Sequence, residues 1–218
     1  MNTKSLQWLA DNLLKHSQVA SISIVGNQFL RIDRNDFDPV LTLVMSVARV
    51  TADLIEEAIG EEPACTFACN IPKNGIWEGD SLSVAEEHSL GWGGVGDLMA
   101  ALNDEDVQQF EPKIYRFGSR FLRQNGSIAS TERLSDSVIK ITSMNGTVYR
   151  VAMLYAYEMT ADAVRTHFDR YSPFDIILRT NPNGGPTSEA REAAEQIGVQ
   201  IFTYRELTVY IRNNALPR

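Results

Sequence analysis

Cysteine is scarce in this chain. Cys65 and Cys69 are the only two among 218 residues, too few for a disulfide scaffold. Four positions apart and without a second pair, they also fall short of a zinc set, and His16, His88 and His167 are scattered. No metal site is therefore expected. Long apolar runs are missing as well: none approaches the ~18 residues of a membrane helix, and the mean hydropathy is −0.19. The first residues, MNTKSLQWLADNLLKHS, carry Asp11 and contain no continuous apolar stretch of the secretory kind. The expectation is a soluble, cytoplasmic protein with no membrane partner. No Gly-x-Ser-x-Gly elbow, Walker loop or His-Glu-x-x-His motif occurs, so serine-hydrolase, P-loop and zinc-protease chemistry have no sequence support.

What the chain does have is an ordinary globular composition, 44% hydrophobic and 22% charged, with an uneven charge distribution. The net charge is −8. Residues 61–111 hold one basic and eleven acidic side chains, whereas residues 112–170 hold nine basic and five acidic ones. A polyphosphate would be repelled by the first block and attracted by the second.

The hydrophobic pattern predicts a helix over 3–16 and strands over 19–25 and 28–32 around Gly26-Asn27. Asp38-Pro39 reads as a helix entry for a segment reaching Ile59, although VLTLVMSV is β-branched enough for a strand. A buried strand is expected over 64–70, then turns, then helices over 81–89 and 96–103. Pro112 opens a helix to Gln124, and Asn145-Gly146 signals a β-hairpin. Helix 160–170, strand 174–180, helix 187–197, strand 199–203 and helix 205–213 follow. This pattern gives an α/β chain with a mixed, α+β-type sheet covered by helices. The division is placed at residue 111, between an acidic region 1–111 and a region 112–218. No internal repeat or low-complexity tract is visible.

Residues 161–207 carry Val164-Arg165, Thr180 with its NPNG loop, Ala190-Arg191 and Gly198. In this order they resemble the second half of the Mrr-type restriction-endonuclease fold, and 112–157 sits where that family's helix and antiparallel strands belong. The resemblance implies a nuclease-like fold for the C-terminal half. It also implies where catalytic groups should lie: an Asp on one strand and Glu/Gln-x-Lys on the next, holding Mg²⁺ and orienting water. The second motif falls on Leu154-Tyr155-Ala156, which has no ionisable carboxylate or ammonium. Asp136, Lys140 and Glu158 are the nearest candidates.

Other candidates come from the residues themselves. Lys113, Arg116, Arg120 and Arg123 fall within an arc of about 80° at helical spacing, a surface suited to phosphates. Ile114, Phe117, Phe121 and Leu122 are expected to face the core. The plainer alternative is that the stripe pairs with the acidic segment 61–111, in the same chain or in a partner. Asn181, Asn183 and Gly184 form a loop between strand and helix where a ligand could be held, or a simple turn. GWGGVG (91–96) fits a phosphate-loop spacing but reads better as a helix–helix connection. The combined expectation is a degenerate or non-catalytic nuclease-like protein that binds nucleic acid, a protein partner (a second copy of itself included) or both, in a bacterial defence or DNA-processing assembly. Its alternatives are an active Mg²⁺-dependent endonuclease with an atypical acidic site, and a pure interaction subunit or inhibitor. No cofactor is expected otherwise.

Overall fold

The computed structural model describes residues 3–214. The chain is mixed α/β and divides into two compact units, Met1–Pro112 and Lys113–Arg218.

In the first unit, helix α1 (Thr3–Leu13) buries Leu6, Leu9, Ala10 and Leu13. Strands β1 (Val19–Val25), β2 (Phe29–Arg34) and β3 (Val40–Met45) form an antiparallel meander. Gly26, at φ +57°, supplies the left-handed turn residue between the first two. After β4 (Arg49–Val50) come α2 (Ala52–Glu61) and β5 (Phe67–Asn70), which runs parallel to β3. Then follow β6 (Ile76–Trp77), α3 (Gly79–Glu87), β7 (Gly91–Gly93), α4 (Val95–Ala101) and a 3-10 turn at Val107–Gln109. The sheet order is β1-β2-β3-β5-β7, with β4 and β6 as a small parallel pair. Leu30, Ile32, Val44, Phe67 and Leu98 close a core over α1.

The expected single helix from Asp38 to Ile59 is not formed. Val40–Met45 is a central strand buried on both faces, and only Ala52–Glu61 is helical. The β-branched Val40, Thr42 and Val44 suit a pleated strand between two neighbours better than a helix. GWGGVG is not a helix–helix connection either. Its first three residues are β7, and Gly91 lies where a Cβ would run into the Val107 carbonyl.

The second unit comprises α5 (Lys113–Gln124), β8 (Ile128–Arg133), β9 (Val138–Ser143), β10 (Val148–Leu154), β11 (Glu158–Met159) and α6 (Ala161–Tyr171). It continues with β12 (Ile176–Arg179), β13 (Gly185–Pro186), α7 (Ser188–Gln196), β14 (Gln200–Phe202) and α8 (Tyr204–Asn214). Its sheet order is β14-β12-β10-β9-β8, antiparallel through β8, β9 and β10 and parallel from β10 to β14. Leu122, Ile139, Ile141, Val151, Met153, Ile176, Leu178, Leu207 and Ile211 form its core. β8 escapes the hydrophobic pattern because it is a polar edge strand whose exposed side chains include Glu132.

The two units are one fold used twice, which corrects the expectation of no internal repeat. Thr42 faces Phe67 between β3 and β5, and Val151 faces Ile176 between β10 and β12, each residue 109 positions further on. The same offset relates Arg49–Ile76 to Glu158–Gly185, Phe67–Gly91 to Ile176–Gln200, and Phe29–Leu43 to Val138–Ala152. Even the bulge between Val19 and Ser21 recurs between Ile128 and Ser130. Identity at this offset is thin. Its longest run is Thr51-Ala52-Asp53 against Thr160-Ala161-Asp162, followed by the pairs Ala20-Ser21, Asn74-Gly75 and Ala85-Glu86 against Ala129-Ser130, Asn183-Gly184 and Ala194-Glu195. The ladders preserve hydrophobic class and register rather than residue type, so the repeat lies in the pairing.

Candidate nucleic-acid interface

Helix α5 begins directly after Pro112, whose missing N–H costs nothing at a helix start. It ends where the Asn125 side chain takes over: Oδ1 accepts from Ser127 N at 3.0 Å, and Nδ2 donates to Thr208 at 3.0 Å. The face on the sheet consists of Gly118, Ser119 and Leu122. A Cβ at Gly118 would meet Met153 Sδ and come within 3.1 Å of Thr180 Cγ2. The helix thus packs closely on β10 and β12 through its smallest residues.

That close approach rotates the bulky residues outward. Phe117 is 60% exposed and Ile114 40% exposed, contrary to the expected core placement, whereas Leu122 is fully buried and Phe121 partly so. Phe121 packs edge-on against Tyr204 at 4.7 Å. Lys113, Arg116, Arg120 and Arg123 are all exposed. Among the described residues none of the four forms a salt bridge within its own unit. Arg116 lies 5.9 Å from the centre of the Phe117 ring. The stripe is therefore a row of cations with an open aromatic face among them. Helical spacing alone held the clue: Phe117 is four residues after Lys113 and three before Arg120, so it borders the cations.

The groups expected at a nuclease centre are differently placed. Asp136 is 3% exposed, at the entry to β9. Its carboxylate accepts from Tyr171 Oη at 3.1 Å and from Ser137 N at 3.1 Å. Burial pushes the Asp136 carboxyl up to about 6 against the pull of Arg170, Tyr171, Arg133 and Tyr115. Lys140 sits across the ladder from Glu132, with Nζ 2.6 Å from its carboxylate. Glu158 is exposed on β11. Among the described residues no group of three His, Cys, Asp or Glu side chains could hold a metal ion. Cys65 and Cys69 are free thiols, and burial pushes Cys65 up to about 11.

The NPNG loop is held from within. Asn181 is 5% exposed, and its Oδ1 accepts from Asn183 N at 3.0 Å. Arg179 donates to the carbonyls of Asn183 and Gly184. Gly184, at φ +73°, lies against the Tyr157 carbonyl with no room for a side chain. These contacts are those of a packed turn.

One contact escaped the sequence reading because its members are 30 residues apart. Ser137 Oγ lies 3.1 Å from His167 Nε2 and 2.8 Å from the Met153 carbonyl. The hydroxyl proton points to that carbonyl, so Oγ accepts from the histidine. Burial, then the charge of Arg170, brings His167 down to about 4. A serine already donating its proton, beside a histidine that donates to it, is a structural bond rather than an activated nucleophile.

No helix among the described residues is long and apolar enough to cross a membrane. Comparison with protein-family models, with curated proteins and with solved structures gave no match.

Proposed function

We propose that this protein binds single-stranded nucleic acid through α5, on a nuclease-like scaffold that lacks the usual cleavage chemistry. The observation that carries the reading is the exposed row Lys113, Arg116, Arg120 and Arg123, free of salt bridges within its own unit among the described residues and bordered by the exposed ring of Phe117. Cations at one-turn spacing track a phosphate backbone, and an exposed ring beside them offers an unstacked base a platform. The surrounding charge supports it. Unit Lys113–Arg218 holds fourteen basic and ten acidic residues, while Met1–Pro112 holds six and eighteen. The second unit, at +4, attracts a polyanion that the first, at −12, repels.

The helix, antiparallel strands and parallel crossovers of the second unit are compatible with the Mrr-type resemblance. In the alternative of an active endonuclease, Asp136 would have to leave Tyr171 and the Ser137 amide, and Lys140 would have to leave Glu132. The sealed carboxylate favours binding without cleavage.

Fluorescence anisotropy with labelled single-stranded DNA, RNA and duplex tests the reading. Four phosphate contacts give a slope of log K on log salt near −3, or roughly 50-fold weaker binding between 50 and 200 mM salt. Arg116→Glu, Arg120→Glu and Arg123→Glu together should abolish binding, and Phe117→Ala should weaken the single-stranded complex roughly tenfold. Unchanged binding in the triple variant removes α5 from the interface. EDTA-sensitive cleavage lost in Asp136→Asn would restore the endonuclease.

A further inference from the structure

The repeat allows each sheet edge to be compared with its counterpart in the other unit. In the first unit the outer edge of β7 is covered. Trp92 N, which points away from β5, donates to the Phe110 carbonyl at 3.3 Å, and the Val107 carbonyl lies over Gly91. Arg34 pins the approach to this covering segment, donating to the carbonyls of Leu102 at 3.3 Å, Asp104 at 2.6 Å and Glu105 at 3.4 Å.

In the second unit the corresponding strand is β14, and Ile201 occupies the place of Trp92. Gln200 N donates inward to Asp175, as Gly91 N does to Thr66. Ile201 N, pointing the other way, has no partner among the described residues. Ser143 stands where Arg34 stands in the first unit, so the pin is gone. Beside this edge opens a groove of about 450 Å³, lined by Arg191 and Glu195 of α7 and by Gly198–Phe202.

The two edges of this sheet also differ in protection. At the opposite end β8 carries a bulge, an exposed Glu132 and the ion pair to Lys140, features that discourage further strand pairing. β14 reads Gln-Ile-Phe, with no charge, no proline and no bulge.

We propose that the β14 edge docks a second copy of this chain, β14 against β14, in a twofold dimer with one continuous sheet. Twofold pairing of identical edge strands is antiparallel and sets the two α7 helices side by side in opposite directions. Arg191 and Glu195 lie one turn apart on the exposed side of α7, at the groove wall. Arg191 then faces Glu195 of the partner subunit, and Glu195 faces Arg191 of the partner subunit, so the surface is complementary to itself. Arg191 is available for this role, because among the described residues it forms no salt bridge. Glu206 is held below the ordinary carboxylate range first by the Thr203 hydrogen bonds and only last by Arg191 and Arg179.

Sedimentation equilibrium over a concentration series tests this, with Arg191→Glu, Glu195→Arg and a mixture of the two. The wild type should dimerise reversibly, and hydrogen exchange at the Ile201 amide should slow as the dimer fills. Each single reversal sets like charges opposite each other and should leave monomer. Their equimolar mixture should form a heterodimer, because four like charges become two complementary pairs. Glu192→Arg, exposed on the same helix outside the groove, should dimerise as the wild type does. A wild type that stays monomeric, a dimer indifferent to the reversals, a mixture that does not pair, or an equal effect of Glu192→Arg would each overturn the proposal.

Discussion

Asp136 and His167 sit in the same corner of the second unit, and burial moves their titrations in opposite directions. Burial raises the Asp136 carboxyl from 3.8 to about 6, and burial lowers the His167 imidazole from 6.5 to about 4. For Asp136 the folded state holds a proton that the unfolded chain has released, so its contribution is present below pH 4 and lost as pH rises through 6. For His167 the unfolded chain holds the extra proton, so its contribution is present above pH 6.5 and lost as pH falls toward 4. Each pKa unit corresponds to about 1.4 kcal/mol. The Asp136 arm is therefore about 3 kcal/mol and the His167 arm about 2–3 kcal/mol, since the ring is only partly buried. Over pH 4–6.5 the two slopes oppose and nearly cancel. Asp136→Asn should expose the histidine arm: the variant itself loses about 2–3 kcal/mol on acidification from pH 6.5 to 4, and its deficit against wild type grows by about 3 kcal/mol. His167→Gln should expose the other arm and gain about 3 kcal/mol over pH 6 to 4. The chain provides its own assay: all seven tyrosines lie in the second unit and all three tryptophans in the first. Urea unfolding followed by tyrosine near-ultraviolet dichroism should show the shifts, while the tryptophan-monitored transition stays put. Variant-minus-wild-type differences that do not change with pH would refute the reasoning.

Gly184→Ala should destabilise the second unit by roughly 2–4 kcal/mol, because φ is +73° and the added methyl meets the Tyr157 backbone. Urea midpoints read by tyrosine check this, and a loss under 1 kcal/mol would show that the loop yields. The repeated Thr-Ala-Asp motif gives a matched pair. Thr160 Oγ1 accepts from Ala163 N at 3.2 Å, whereas Thr51 makes no side-chain cap bond. Thr160→Ala should cost about 1 kcal/mol in the tyrosine transition. Thr51→Ala should leave the tryptophan transition within a few tenths.

Much of the local structure was legible in the residues. The Gly26 and Asn145-Gly146 turns, the α1 stripe and the alternation from helix 160–170 to helix 205–213 follow from periodicity and turn chemistry, which act over a few neighbours. The shared face of the α5 cations was legible in the same way, since four charges at one-turn spacing have no other place than one side of a helix. Spacing set Phe117 beside those cations, but its exposure was not legible, because hydrophobicity marks a ring for the core without saying which ring the core admits. Gly118, seated against Met153 and Thr180, made that choice.

What the sequence by itself determined is the alternation of elements and the opposed charge of the two halves, both properties of neighbours along the chain. Tertiary structure alone decided which strands pair. Ladder register depends on contacts tens of residues apart, and it tolerates almost complete change of residue type while keeping one unit in step with the next. Hence the repeat is nearly invisible in the letters yet constant at 109 positions through the ladders. The sealing of Asp136 and the opening of the β14 edge belong to the same level. Each is fixed by what packs beside it, Tyr171 of α6 in one case and, in the other, an Ile201 N without a partner among the described residues.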